Sequence, residues 1–282
     1  MTPDEKAAHA GAGAVAEHRA GAISEQGAGA RLAALYDLDL TDEQADLDLY
    51  LALAAASAGS VLELAAGTGR ICVPLAGAGY DVTGVDRDPD MLARARASWA
   101  DATRRPGRGS LELVQADITT LELDRQFGLV LLALNSLLLL GGRDAQLAAL
   151  RVMARHLAPG GQAVIDVWLP TPDDLAIYDG QTRLDWLRTD PDTGERVAKL
   201  WAGRHESAIG AATVWTFFDT WPSDGGPVNR VARADDLHFL ASTELLALVE
   251  QAGMEVKSAG SDYALSPFGG DADRIVLVCG LL

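Results

Sequence analysis

From residue 61 to 168 the chain alternates short apolar runs with stretches of helical periodicity. Val61–Ala65, Asp81–Val85, Leu111–Gln115, Gly128–Leu134 and Gln162–Trp168 carry apolar side chains on successive positions, as strands buried on both faces of a parallel sheet require. Between them Arg70–Ala78, Pro89–Trp99 and Arg143–Leu157 place apolar residues at three- and four-residue spacing and predict helices. A helix at Thr243–Ala252, ended by Gly253, and strands at Glu255–Gly260 and Arg274–Leu281 follow much later in the chain. The pattern predicts an α/β fold with a doubly wound, mostly parallel sheet of seven strands.

The flanking segments read differently. Residues 1–30 alternate Ala and Gly with scattered charge, a composition with few large groups to bury, and predict a mobile extension. Leu32, Leu35 and Tyr36 then recur at helical spacing, and Thr41 is expected to open a second helix through Leu47, Tyr50 and Leu51, so that residues 31–58 form lead-in, lid-like helices. After Trp168, patches of period two are separated by Pro-Asp-Thr-Gly (191–194) and Pro-Ser-Asp-Gly-Gly-Pro (222–227), turn sequences of antiparallel hairpins. Residues 169–240 are therefore an antiparallel β insertion, and 31–168 with 241–282 form the main domain.

Composition narrows the function classes. The 23 Lys and Arg against 40 Asp and Glu give a formal charge of -17, which argues against a nucleic-acid or anionic-membrane partner. Cys72 and Cys279 lie in apolar stretches and read as small buried hydrophobes. The most apolar run, Leu129–Leu140, is interrupted by Asn135 and Ser136, and the first residues lack the apolar core of a signal peptide, so a cytoplasmic protein is expected.

The chemistry concentrates in Val61-Leu-Glu-Leu-Ala-Ala-Gly-Thr-Gly-Arg70, a strand running into a glycine turn and then a helix. At the carboxyl end of the first strand, glycines let a nucleotide-like cofactor approach the backbone. A dinucleotide fingerprint needs a third glycine where this chain has Cys72, which weakens an NAD(P) reading. The segment resembles the first motif of class I S-adenosylmethionine-dependent methyltransferases, E/D-x-x-x-G-x-G, matched by Glu63, Gly67 and Gly69; the likeness spans roughly residues 32–168 and 240–282. It implies S-adenosyl-L-methionine as cofactor, with S-adenosyl-L-homocysteine as product.

The resemblance also assigns roles. Asp86, ending the second strand 19 residues after Gly67, would accept the ribose hydroxyls. Asp117 and Ile118 fall on the adenine-recognition segment, Tyr36 on the lid tyrosine, and Ala65, Arg87, Met91, Leu134 and Asn135 on further cofactor-flanking positions. Leu134-Asn135-Ser136 lacks the (D/N)-P-P-(F/Y) of nucleic-acid amino-methyltransferases, which removes base methylation. Leu157-Ala-Pro-Gly-Gly161 looks like the family's structural turn before the fifth strand.

The acceptor is less legible, because aligning a nucleophile with an activated methyl group and excluding water needs no dedicated base. The insertion and its flanks hold every tryptophan except Trp99. Alternation puts Trp215, Phe217 and Trp221 on one face of a strand and Val214 and Phe218 on the other. Trp168, Tyr178, Trp215, Phe217 and Tyr263 are the candidate acceptor contacts, and His238 and His205 the candidate catalytic bases. The reading is a small-molecule N-, O- or C-methyltransferase, monomeric or homodimeric, similar to natural-product enzymes such as amino-sugar N-methyltransferases. The alternatives are a protein of this fold that binds cofactor without methyl transfer, or an NAD(P)-dependent oxidoreductase.

Overall fold

The structure, a computed structural model, describes residues 25–42, 45–102, 108–269 and 272–282. In chain order it forms α1 (Glu25–Asp39), α2 (Leu47–Ala56), β1 (Val61–Leu64), α3 (Cys72–Gly77), β2 (Asp81–Asp86), α4 (Pro89–Ala102), β3 (Ser110–Gln115), β4 (Phe127–Leu132), α5 (Arg143–His156) and β5 (Leu157–Trp168). A short helix α6 (Pro172–Ala176) and the strands β6 (Arg183–Thr189), β7 (Arg196–Glu206), β8 (Ala211–Trp221) and β9 (Asn229–His238) follow, then α7 (Ser242–Gln251), β10 (Met254–Gly260) and β11 (Arg274–Leu281).

Seven strands form one sheet in the order β10-β11-β5-β4-β1-β2-β3, with β11 antiparallel to both β5 and β10. Every residue of β1 and of β4 is buried, as central strands covered on both faces require. The chain moves outward from β1 through β2 to β3, then returns to the other side of β1 as β4 and β5. That reversal opens a crevice at the carboxyl ends of β1 and β4. The fold class expected from the sequence is the one observed.

Local boundaries differ for identifiable reasons. Thr41 closes α1, donating its hydroxyl to the carbonyls of Asp37 and Leu38 (both 3.1 Å), so the second helix starts only at Leu47. α1 itself begins at Glu25, inside the segment expected to be mobile, whose residues 1–24 lie outside the described residues. Leu157 already pairs with Phe127, and Gln162 with Leu129, so the expected turn at 157–161 is a bulge inside β5, with Gly160 at φ +76°. Cys72 and Cys279 are free and fully buried, as expected.

The insertion is an antiparallel sheet in the order β6-β7-β8-β9. Its inner face packs Val197, Phe218 and Val231 against Leu35 and Leu38 of α1. Polar contacts fix the same seam: Asp39 accepts from Trp186 Nε1 (2.8 Å) and pairs with Lys199 (2.7 Å), and Arg188 donates to the Leu38 carbonyl (2.6 Å) at the end of α1. On its other side α1 meets α4 through the Asp37–Arg94 pair (2.6 Å). α1 is thus held between the four-stranded sheet and α4. Phe218→Ala removes the centre of that seam and is expected to cost about 3–5 kcal/mol in chemical denaturation, whereas Leu184→Ala, on an exposed residue of β6, changes stability by no more than about 0.5 kcal/mol.

Candidate active site

Beyond Leu64 the backbone turns through Ala65 (φ +57°), Gly67 (φ +54°) and Gly69 (φ +87°). The Gly67 N–H donates to Asp86 Oδ2 (2.8 Å) and the Asp88 N–H to Asp86 Oδ1 (2.9 Å), so one carboxylate ties the loop after β1 to the loop after β2. Each oxygen keeps a lone pair for a further donor. A Cβ on Gly67 would meet only the Tyr36 ring, at 3.9 Å. Gly69 serves another purpose than ligand approach: a Cβ there would stand 2.8 Å from Val73 Cγ2 and 3.1 Å from Ala95 Cβ, so it allows α4 to pack beside the turn.

Beneath the turn lies a buried charge group. Arg70 makes a bidentate pair with Asp46 (2.7 and 2.6 Å), and Asp46 is almost fully buried. Glu63 is 3% exposed, and its Oε2 has no hydrogen-bond partner among the described residues. Burial pushes the Glu63 carboxyl up to about 8, against the opposing pull of Arg70 and of the Cys72 amide and thiol. The Tyr36 phenol, raised by burial, stands near Arg70, Arg233, Glu63 and Asp86. A buried acceptor left open, a half-served carboxylate and a glycine facing free space fit a cofactor with an ammonium group and a ribose.

Tyr36, Ala65, Gly67, Asp86, Arg87, Met91, Asp117 and Ile118, all expected at the cofactor, converge on one cleft of about 240 Å³. Asp117 Oδ1 caps its own turn by accepting from the Thr119 amide and hydroxyl, which lowers its pKa. Leu134 and Asn135 form the turn at the end of β4, while Ser136, Leu139 and Leu140 after it line the cleft. Arg233 and Asp235, paired at 2.6 Å, complete the wall from β9 and were missed. Their signal was available, since Val231, Arg233, Asp235 and Leu237 alternate along a strand that begins against α1.

The expected acceptor residues separate. Trp168 and Tyr178 stack (ring centroids 6.4 Å), Trp168 meets Phe239 edge-on (5.8 Å), and Tyr178 lies against Trp201 (5.4 Å). His205 joins this cluster through Phe239 (6.0 Å) and lines a larger cavity of about 840 Å³ with Leu169, Leu175, Ile209 and Phe239. Trp215, Phe217 and Trp221 do not join it. Their partners across the sheet, such as Leu200 and Ala202, set them on the face turned away from α1, where Trp215 is 37% exposed and Phe217 lies under Arg230; the inner face belongs to Thr216 and Phe218. His238 shares that outer register with Ala211 and lies beside Gly142, outside the cleft lining, its carbonyl accepting from Gln146. Tyr263 is engaged elsewhere, donating its hydroxyl to Asp166 (2.8 Å).

A family model described as a methyltransferase domain matches residues 61–161. The chain is similar to the cypemycin N-terminal methyltransferase of a Streptomyces species, 28% identical over 233 residues covering 78% of this chain and 82% of that protein. It is also similar to dTDP-3-amino-3,4,6-trideoxy-alpha-D-glucopyranose N,N-dimethyltransferase of Streptomyces venezuelae, 29% identical over 71% of this chain and 77% of the relative. Among solved structures it resembles the CcbJ methyltransferase of Streptomyces caelestis, 26% identical with a TM-score of 0.71 over 87% of this chain and 96% of that one. The glycine turn, Asp86 and Asp117 lie within the matched segment.

Glu63 gives stability a pH dependence whose sign is fixed. Below about pH 4.5 the carboxyl is protonated folded or unfolded. Between there and about 8 the folded protein keeps a proton that the unfolded chain has released, so this group's contribution falls as pH rises and is lost above 8. The slope approaches about 1.4 kcal/mol per pH unit. Chemical denaturation at pH 5.5, 6.5 and 7.5 is expected to show this descending term in the ligand-free protein and its removal in Glu63→Gln; a wild-type-minus-variant difference that is flat with pH contradicts it.

Proposed function

We propose that the chain, which is an S-adenosylmethionine-dependent methyltransferase of the class I fold with an antiparallel β insertion, methylates an amine nitrogen of a small natural-product molecule. The observation that carries this reading is the roofed cleft at the β1–β4 switch point next to an aromatic cluster. When bound, the cofactor supplies a methyl group already activated on a sulfonium centre. Asp86 would hold the ribose, Asp117 and Ile118 the adenine, and Glu63 the amino group, with Tyr36 above the glycine turn. α1 and β9 roof the cleft and exclude water, so alignment does most of the catalysis.

Nitrogen is favoured over oxygen or carbon for two reasons. Both curated relatives are named for amine methylation, one at a peptide N-terminus and one on an amino sugar. The aromatic faces of Trp168, Tyr178, Trp201 and Phe239 attract an amine-bearing group, and the charge of -17 draws cations toward the protein. An amine that arrives as its ammonium form must shed a proton to expose the nucleophilic lone pair. Neither candidate histidine lines the cleft, but His205 lines the larger cavity beside Phe239 and His238 lines neither, so His205 is the better placed to take that proton.

Incubation with S-adenosylmethionine and matched acceptors tests the reading. Amino sugars and peptides with free N-termini are expected to gain one or two methyl groups by mass spectrometry, while their hydroxyl analogues gain none; turnover of the hydroxyl compounds alone contradicts it. Asp86→Ala removes an ionised acceptor, a loss of about 1.5–3 kcal/mol. Cofactor affinity measured by calorimetry is then expected to fall roughly 10- to 100-fold in a protein that remains folded by circular dichroism.

A further inference from the structure

Two consecutive residues other than glycine take the left-handed backbone at the end of β4, Leu134 at φ +52° and Asn135 at φ +63°. Leucine is rare there because its Cβ crowds the backbone oxygen, so such a pair persists only where neighbouring groups dictate it. Those groups belong to β5. Asp166, fully buried, accepts the Leu134 N–H on Oδ2 (3.2 Å), and its carbonyl accepts the Asn135 N–H (3.2 Å). Asn135 Oδ1 returns the link by accepting the Trp168 N–H at 2.6 Å.

The carboxylate is itself held from the segment joining β10 and β11 and from the first residue of β11. Tyr263 donates its hydroxyl to Oδ2 (2.8 Å) and Arg274 pairs with Oδ1. An aspartate paired with an arginine amid the apolar residues of a central strand is expensive to bury, and an apolar side chain of similar size would serve stability as well or better. Its placement therefore points to geometry. The turn it dictates runs on one side into Ser136 of the cofactor cleft, and is tied on the other to Trp168 of the aromatic cluster.

We infer that Asp166 is a positioning residue, which holds the Leu134–Asn135 turn in its left-handed shape so that the cofactor cleft keeps its β4 wall beside the acceptor cluster. The inference rests on the proposed cofactor site. S-adenosylhomocysteine binding to the full chain, by calorimetry, separates the two: failure of the wild-type protein to bind overturns the site, and the variants test Asp166. Asp166→Asn is expected to weaken binding tenfold or more, and Tyr263→Phe, which removes one hydroxyl, about threefold. Leu134→Gly in the Asp166→Asn background restores affinity to within threefold of wild type, because glycine takes the left-handed region freely; Leu134→Ala, which loses the same packing and keeps the strain, does not. Wild-type affinity in folded Asp166→Asn, or glycine and alanine failing alike to restore it, overturns the inference. If Asp166→Asn does not fold, unchanged affinity in Tyr263→Phe does so.

Discussion

The Asp86 carboxylate accepts the Gly67 amide on one oxygen and the Asp88 amide on the other, and the rest of the site is built around that joint. It fixes the glycine turn after β1 to the end of β2, on one side of the sheet's switch point. Tyr36 then closes over Gly67, and the segment Ala116–Ile118 after β3 completes the far wall. Charge-assisted hydrogen bonds from two backbone amides order the carboxylate before any ligand arrives, and preorganisation of this kind lowers what binding must spend on ordering.

A second constraint is electrostatic. Arg70 is bound to Asp46 through both its terminal nitrogens, so its charge is only partly at the disposal of Glu63, and burial leaves that carboxyl protonated near neutrality. A cationic group beside Oε2 reverses the balance by favouring the ionised form. Binding of a cationic ligand group at Oε2 would therefore be linked to proton release. Tyr36 is fixed by the same kind of contact, since it lies on the helix that the insertion clamps through Asp39, Lys199 and Trp186.

Much of this was legible in the residue order. Alternation of apolar runs and helical stretches yielded the doubly wound sheet, and Gly67, Asp86 and Asp117 line one cleft, with Glu63 buried beneath its glycine turn. Period two in β8 separated Trp215 and Phe217 from Phe218, but both faces are rich in aromatic residues, and only the packing of α1 decides which one turns inward. The left-handed turn at Leu134 and Asn135 carries no glycine to announce it. Asp166 did leave a trace, a lone charge in the apolar run Ala163–Trp168, and its meaning depends on Tyr263 and Arg274, which are about a hundred residues away in the chain.

The larger cavity, about 840 Å³ beside His205 and Phe239, lacks the Asp86 carboxylate and the glycine turn of the cleft under Tyr36. The most direct test is a crystal structure of the full chain with S-adenosylhomocysteine. The account predicts ligand density between Tyr36, Gly67, Asp86 and Ile118, with the ribose on Asp86 and the amino group at Glu63 Oε2. Density in the cavity lined by His205 and Phe239 instead, with the cleft under Tyr36 empty, would contradict it.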